Sequence, residues 1–178
     1  MNIEVKNIKI NKSFSEETIC FTADIFVNGV KTAYARNDGR GGCTHYCSYH
    51  KPNNDHDLRQ AEAYAKSLPS TTHEYGGKTI TLEMNLERLI DEAIDKKFND
   101  GEKAKFDKTL AKHMTTDICF GVPNSGRYQR IGYGKYPLKA VCLTQRAKVQ
   151  ELVDRIRREE CKNGVEILNT NLAELGLK

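Results

Sequence analysis

The sequence predicts an α+β protein, and three observations carry that prediction. Extended runs rich in β-branched and aromatic residues open the chain, two helical periodicities fill its middle, and further extended runs followed by a helix close it. Strands and helices are therefore grouped rather than alternated, which excludes a parallel βαβ array. The expected architecture is an antiparallel meander at the N-terminus, central helices, a second antiparallel strand group and a C-terminal helix. At 178 residues the chain has the size of a single domain spanning 1–178, with a candidate division into two lobes near 99–101.

Each element has its own signature. Ile3, Val5, Ile8 and Ile10 mark the first extended segment. The run 18–27 (TICFTADIFV) and the run 30–35 (VKTAYA) flank Asn28-Gly29, the strongest short hairpin signal, because a type I′ turn needs positive φ at both central residues. A further strand is expected over 44–49. Asp55 or Asp57 is expected to cap a helix whose apolar face is Leu58, Ala61, Ala65 and Leu68, closed by Pro69. Leu86, Leu89, Ile90, Ala93, Ile94 and Phe98 recur at three and four and predict an amphipathic helix. Gly101 is expected to end it, with a shorter helical piece over 103–113. Extended runs at 116–122 and 127–133 surround the turn Pro123-Asn124-Ser125-Gly126, and 139–143 is expected as a third strand. Thr144 then caps a helix carrying Val149, Leu152, Val153 and Ile156, and Asn163-Gly164 provides its exit. After a short apolar run at 165–168, Asn169 or Thr170 caps a last turn ending at Gly176.

Composition narrows the function classes. With 38% hydrophobic and 29% charged residues the chain is too apolar and too mixed in sign for disorder, and no apolar run approaches a membrane span. The opening residues alternate polar and apolar without the apolar block of a secretory leader, so a cytoplasmic protein is expected. The six cysteines are then expected as free, mostly buried thiols rather than a disulfide framework. The net charge is +4, but its distribution is uneven. Between Ile118 and Gln150 there is no acid, against Arg127, Arg130, Lys135, Lys139, Arg146 and Lys148. Between Thr79 and Asp107 eight acids face five bases. A basic face would attract anions; alternatively the two segments neutralise each other.

Two segments are candidates for ligand contact. The first is the loop Asn37-Asp38-Gly39-Arg40-Gly41-Gly42-Cys43, flanked by Arg36. Three glycines in four positions allow close approach to the backbone, and successive N–H groups can form an anion nest, so Arg36, Gly39, Arg40, Gly41 and Gly42 are candidate phosphate contacts. The alternative is a wide connection that uses glycine for geometry alone. No Gly-Lys-Ser/Thr follows, as a Walker A loop requires, and no helix follows at once, as a dinucleotide fingerprint requires, so no cofactor is expected. The second segment is the hairpin at 125–139, where Arg127, Tyr128, Arg130, Lys135 and Tyr136 interleave cations that track phosphates with rings that stack on bases.

Cys43, His45 and Cys47 alternate down one strand and offer half of a zinc site, without the second Cys-x-x-Cys that would close it. His45, His50 and Cys47 are the corresponding candidates for a small hydrolase, since a Cys–His pair is spatial and spacing does not reveal it.

The strand followed by Asn-Asp-Gly-Arg-Gly-Gly-Cys-Thr-His-Tyr, then a Leu-x-x-Ala-x-x-Tyr helix and the ending Glu166-Ile167-Leu168-Asn169-Thr170-Asn171-Leu172, resembles small proteins of phages, prophages and conjugative elements of gut Bacteroidetes. The resemblance implies an accessory gene of a mobile element, in a setting of defence or counter-defence, and transfers no site residue. Together these readings predict a non-enzymatic binding protein for a phosphate-bearing partner, either nucleic acid or a nucleotide, with no membrane partner. The alternatives are a protein-directed inhibitor of a host defence nuclease, whose acidic helix at 86–98 would mimic phosphates, and a hydrolase using the 43–56 cluster.

Overall fold

Alternation in the first strands decides which face of the sheet is buried. In the computed structural model, which describes residues 1–51 and 53–178, β1 (Ile3–Ile10), β2 (Phe21–Val27), β3 (Val30–Asn37) and β4 (His45–Ser48) form an antiparallel sheet in the order β1-β2-β3-β4. Phe21, Ala23, Ile25 and Val27 of β2 all point to one side and are buried. Asn28 and Gly29 take φ of 49° and 83°, as the tight turn between β2 and β3 demands. Asn7, at φ 53°, is the extra residue of a bulge in β1. It restores the alternation, so that Ile8 and Ile10 join Ile3 and Val5 against the core.

Helices cover that buried face. The helix α1 (Asn54–Lys66) contributes Ala61 and Ala65, and α2 (Leu86–Met114) contributes Leu86, Ile90 and Ile94, to one core with the sheet. Small alanines on α1 let it approach the strands closely, while Ile90 and Ile94 of α2 are buried whole, which is worth roughly 1.5–3 kcal/mol each. Among the described residues, the opposite face of the sheet has no helix of this unit on it, and its residues alternate with the core positions along each strand.

The chain divides into two compact units, Met1–Asp100 and Gly101–Lys178, each with its own core. In the second unit, β7 (Asp117–Gly121) lies between β8 (Gln129–Gly132) and β9 (Glu166–Ile167), all antiparallel. Ile118 and Phe120 pack with Leu138, Val149, Val153 and Ile156 of the helix α3 (Leu138–Glu159) and with Leu175 and Leu177. Asn169 ties the C-terminal segment to this sheet. Its Oδ1 accepts from the Cys119 amide at 2.6 Å, and its Nδ2 donates to the Asp117 carbonyl at 3.0 Å.

The α+β class and the opening meander stand as the sequence predicts, with several local departures. The strand expected from Thr18 starts at Phe21, because Thr18 belongs to the loop that meets Asn37. The first helix begins at Asn54, after Asn53 at φ 69°, and makes no side-chain cap; Asp55 and Asp57 sit inside its first turn. Gly101 does not break α2, which runs unbroken for 29 residues. One glycine costs about 1 kcal/mol, and the Ala, Lys and Glu residues around it favour helix. The expected strand at 139–143 is the first turn of α3, since Leu138, Val141 and Cys142 share a helical spacing toward the core. Gln145 leaves the helical region at φ −136°, ψ 36°, so α3 is two helical pieces joined at a kink and the second begins beside Thr144, whose hydroxyl donates back to the Val141 carbonyl at 3.4 Å rather than capping it. A hairpin of β5 (Thr71–Tyr75) and β6 (Lys78–Leu82) around Gly76-Gly77 lies where no strand is expected from the sequence. Of the thiols only Cys119 and Cys142 are buried, whereas Cys43 and Cys47 are exposed. Among the described residues no helix is long and apolar enough to cross a membrane.

Candidate functional site

The glycine loop after β3 is organised inward. Asn37, 7% exposed, is its hub. Its Oδ1 accepts from the Gly39 amide and from Thr18 Oγ1, both at 2.9 Å, and its Nδ2 donates to the Gly42 carbonyl at 2.9 Å. The Gly41 amide donates to Thr18 Oγ1 at 3.3 Å, and the Arg40 amide to Asp38 Oδ1 at 3.4 Å. The Gly39 carbonyl in turn accepts from the amides of Glu16, Glu17 and Thr18. Gly39 and Gly41 both have φ of 86°, and a Cβ on Gly39 would overlap the Phe14 carbonyl oxygen. Glycine at 39 therefore serves a left-handed turn pressed against the 12–18 segment. The amides of Gly39, Arg40 and Gly41 bond to the chain itself, so they do not form an outward anion nest.

Charge around the loop has the same implication. A cleft of about 470 Å³ beside it is lined by Glu16, Glu17, Glu87, Asp91 and Asp95, together with Thr44 and Asn37. Thr44 bridges to α2: its amide donates to Glu87 at 2.9 Å and its hydroxyl to Asp91 at 2.6 Å. Burial pushes the Asp91 carboxyl above its ordinary range; the Thr44 hydroxyl opposes this, and Glu87 and Asp95 add to it. Of the loop, Asn37, Gly42 and Cys43 line this anionic cleft, and the amides of Gly39, Arg40 and Gly41 are engaged by the chain itself.

The open face of the sheet has the opposite character. Strand register sets Lys9 opposite Thr22, Thr22 opposite Arg36, and Arg36 opposite His45. One row of side chains therefore crosses all four strands, and these residues also line a cleft of about 630 Å³. At roughly 4.8 Å between strands the row is about 14 Å long. Lys9 and Arg36 have no ion-pair partner among the described residues. The next row sets Lys6 opposite Asp24, Asp24 opposite Tyr34, and Tyr34 opposite Cys47. Here the charges are matched. Lys6 pairs with Glu4 at 3.0 Å, and Lys31 pairs with Asp24 at 2.8 Å. Asp24 also accepts from Tyr49 Oη at 2.5 Å and from Asn7 Nδ2 at 2.7 Å. Burial alone would raise the Asp24 carboxyl, but the bonds from Lys31, Tyr49 and Asn7 outweigh it and hold the group at about 2.

Three aromatic rings stand on this face. Lys6 lies over Phe26 at 5.0 Å and Lys31 over Tyr49 at 4.7 Å. Tyr34 rests at 5.7 Å, tilted by 53°, against Tyr49 and is 38% exposed. Among the described residues, it is the ring on this face with no lysine over it.

The basic hairpin of the second unit is partly engaged in its own fold. Arg130 pairs with the nearly buried Asp117 at 3.0 Å. Tyr128 bonds His113 Nδ1 at 2.6 Å and meets Phe106 edge-on at 5.4 Å, so its ring packs against α2. Arg127, Lys135 and Tyr136 are exposed, Tyr136 at 69%. Tyr128 is thus engaged within the unit, Arg127, Lys135 and Tyr136 stand exposed, and Arg130 keeps about 52% of its side chain exposed while it holds Asp117.

The metal and hydrolase candidates separate as well. His45 and Cys47 lie on the open sheet face, and Cys43 lies in the loop beside the acidic cleft. Among the described residues no three His, Cys, Asp or Glu side chains converge as metal ligands. The Cys47 thiol is directed to the Ser48 carbonyl at 3.6 Å.

Of the predicted residues, Arg36 alone belongs to the row on the open face as a candidate phosphate contact; His45 joins it from the metal candidates. Lys9, Thr22, Tyr34 and Tyr49 were not singled out by sequence. The signal was present in the alternation of β2 and β3, where polar Thr22, Asp24, Tyr34 and Arg36 interleave with buried Ala23, Ile25, Ala33 and Ala35. No family model, no curated protein and no solved structure matches the chain.

Proposed function

We propose that the first unit binds nucleic acid on the open face of its four-stranded sheet. The observation that carries this reading is the Lys9–Thr22–Arg36–His45 row, which crosses the whole sheet with two cations that are in no ion pair among the described residues and outnumber the one carboxylate, Asp38, lining the same cleft. Phosphodiesters are the partner such a row suits: each needs charge and hydrogen-bond donors but no enclosed pocket. The hydroxyl of Thr22 and the imidazole of His45 add donors between and beside the cations. Exposed Arg127 and Lys135 give the second unit a basic surface of its own.

Binding of a fluorescein-labelled oligonucleotide tests the reading across a salt series. The expected result is a linear fall of log affinity with log salt, and a slope smaller by about 0.7–0.9 for Arg36→Ala or Lys9→Ala. An affinity that does not change with salt, or variants that leave it unchanged, would refute the reading.

A second reading, inhibition of a nuclease by phosphate mimicry, is favoured by the acidic cleft. Glu87, Asp91 and Asp95 recur every four residues along α2, about 6 Å apart. Two of the three already bond Thr44, which lowers the charge they present. Capture of a nuclease from nuclease-treated host lysate, lost in Asp95→Lys, would favour this reading over the first.

A further inference from the structure

Resting on the nucleic-acid reading, the geometry points to single-stranded chains as the ligand: we infer that a base stacks on Tyr34 while its backbone lies on the Lys9–Arg36 row. Tyr34 and Arg36 are two residues apart on β3 and share the open face, which separates ring from guanidinium origin by about 7 Å. That is the reach from a phosphate to its own base. The row continues on both sides of Arg36, to Lys9 on β1 and His45 on β4, so it extends past the single phosphate of a mononucleotide.

The ring itself is held ready. Tyr49 supports Tyr34 from the side, and Tyr49 is fixed in turn by Asp24 and Lys31. Little side-chain freedom remains to be lost when a base lands. Clefts of about 630 Å³ and about 720 Å³ adjoin on this face and share Lys9 and Thr22 as lining residues. The first holds the cationic row and the second holds Tyr34. A base and its phosphate can therefore occupy neighbouring hollows.

Duplex bases have their faces covered by their neighbours and offer only edges and backbone. A duplex could meet the row but not the ring. A single strand can meet both, and stacking tolerates any base because every base has a π-face.

The test compares three probes on the full chain: a roughly ten-nucleotide oligothymidylate, the same strand annealed to oligoadenylate, and thymidine monophosphate. The single strand is expected to bind at least about tenfold more tightly than either of the others. Tyr34→Leu is expected to weaken it about fivefold or more, and Tyr34→Phe to leave it within about twofold, because the ring rather than the hydroxyl makes the contact. Thermal melts of both variants establish that they fold, and the preference of the unmodified protein among the probes stands apart from either variant. Equal binding of duplex, equal binding of monophosphate, or full affinity in a folded Tyr34→Leu would overturn the single-strand inference. If Arg36→Ala still weakened binding in those cases, the broader nucleic-acid reading would survive. Binding of none of the three would overturn both.

Discussion

Asp117 and Gly132 face each other across β7 and β8, and the carboxylate of Asp117 occupies the space where a Cβ of residue 132 would stand. The aspartate is 7% exposed, so its charge needs a partner, and Arg130 on the same neighbouring strand supplies it at 3.0 Å. The absence of a side chain at 132 thus lets an ion pair close over a short strand. Gly132→Ala should cost about 1–3 kcal/mol, as other overpacking changes do, by displacing the carboxylate from Arg130. Chemical denaturation followed by circular dichroism measures it, and unchanged stability would show that the carboxylate can move without loss.

The loop glycines should separate sharply by position. Gly39 combines φ of 86° with a Cβ position that would overlap the Phe14 carbonyl, whereas a methyl at Gly42 would meet nothing within 4 Å and the backbone there has no positive φ. Gly39→Ala should destabilise the protein by about 2 kcal/mol or more, and Gly42→Ala should be within about 0.5 kcal/mol of the original. Similar melting temperatures for the two variants would contradict the inward organisation of the loop.

Acid should weaken the open face in a defined window. Asp24 is held at about 2, below its ordinary value of 3.8. A depressed carboxyl stabilises the fold above its unfolded pKa and loses that contribution as pH falls through the folded one, so the loss runs from about pH 4 to about pH 2. The network lies at the solvent boundary, and screening leaves the contribution near 1 kcal/mol. Asp24→Asn should be less stable at pH 6 and should lose less stability than the original protein across that window. Parallel curves would remove Asp24 as the cause.

Thiol reactivity should follow burial. Burial, assisted by the nearby Asp117 and opposed by Arg130, pushes the Cys119 thiol up to about 11, and the side chain is 0% exposed. Cys43 and Cys47 are exposed. Iodoacetamide at pH 8 followed by mass spectrometry should modify Cys43 and Cys47 first and reach Cys119 only under denaturing conditions. Early modification of Cys119 in the folded protein would contradict the second core as described.

Much of the fold was legible because its signals are local. Asn28-Gly29 marks a turn whatever surrounds it, and the buried alternation of Phe21, Ala23, Ile25 and Val27 is written in the order of residues. Gly101 misled for an instructive reason: a single unfavourable residue lowers helix stability by an amount that the helix formers on both sides of it outweigh. Val141 and Cys142 misled because a short apolar run fits a strand or a buried helix equally, and its period becomes clear only with Val149, Leu152 and Val153 on the same face.

The order of residues is enough for the class of fold, the first hairpin and the apolar sides of β2 and β3, since these depend on period and turn chemistry within a few residues. Where charge gathers is settled by folding. It turned Glu16, Glu17, Glu87, Asp91 and Asp95 toward the glycine loop, and it aligned Lys9 with Arg36 through two strand registers. Electrostatic character depends on distances between residues remote in the chain, and those distances exist only once the strands have paired.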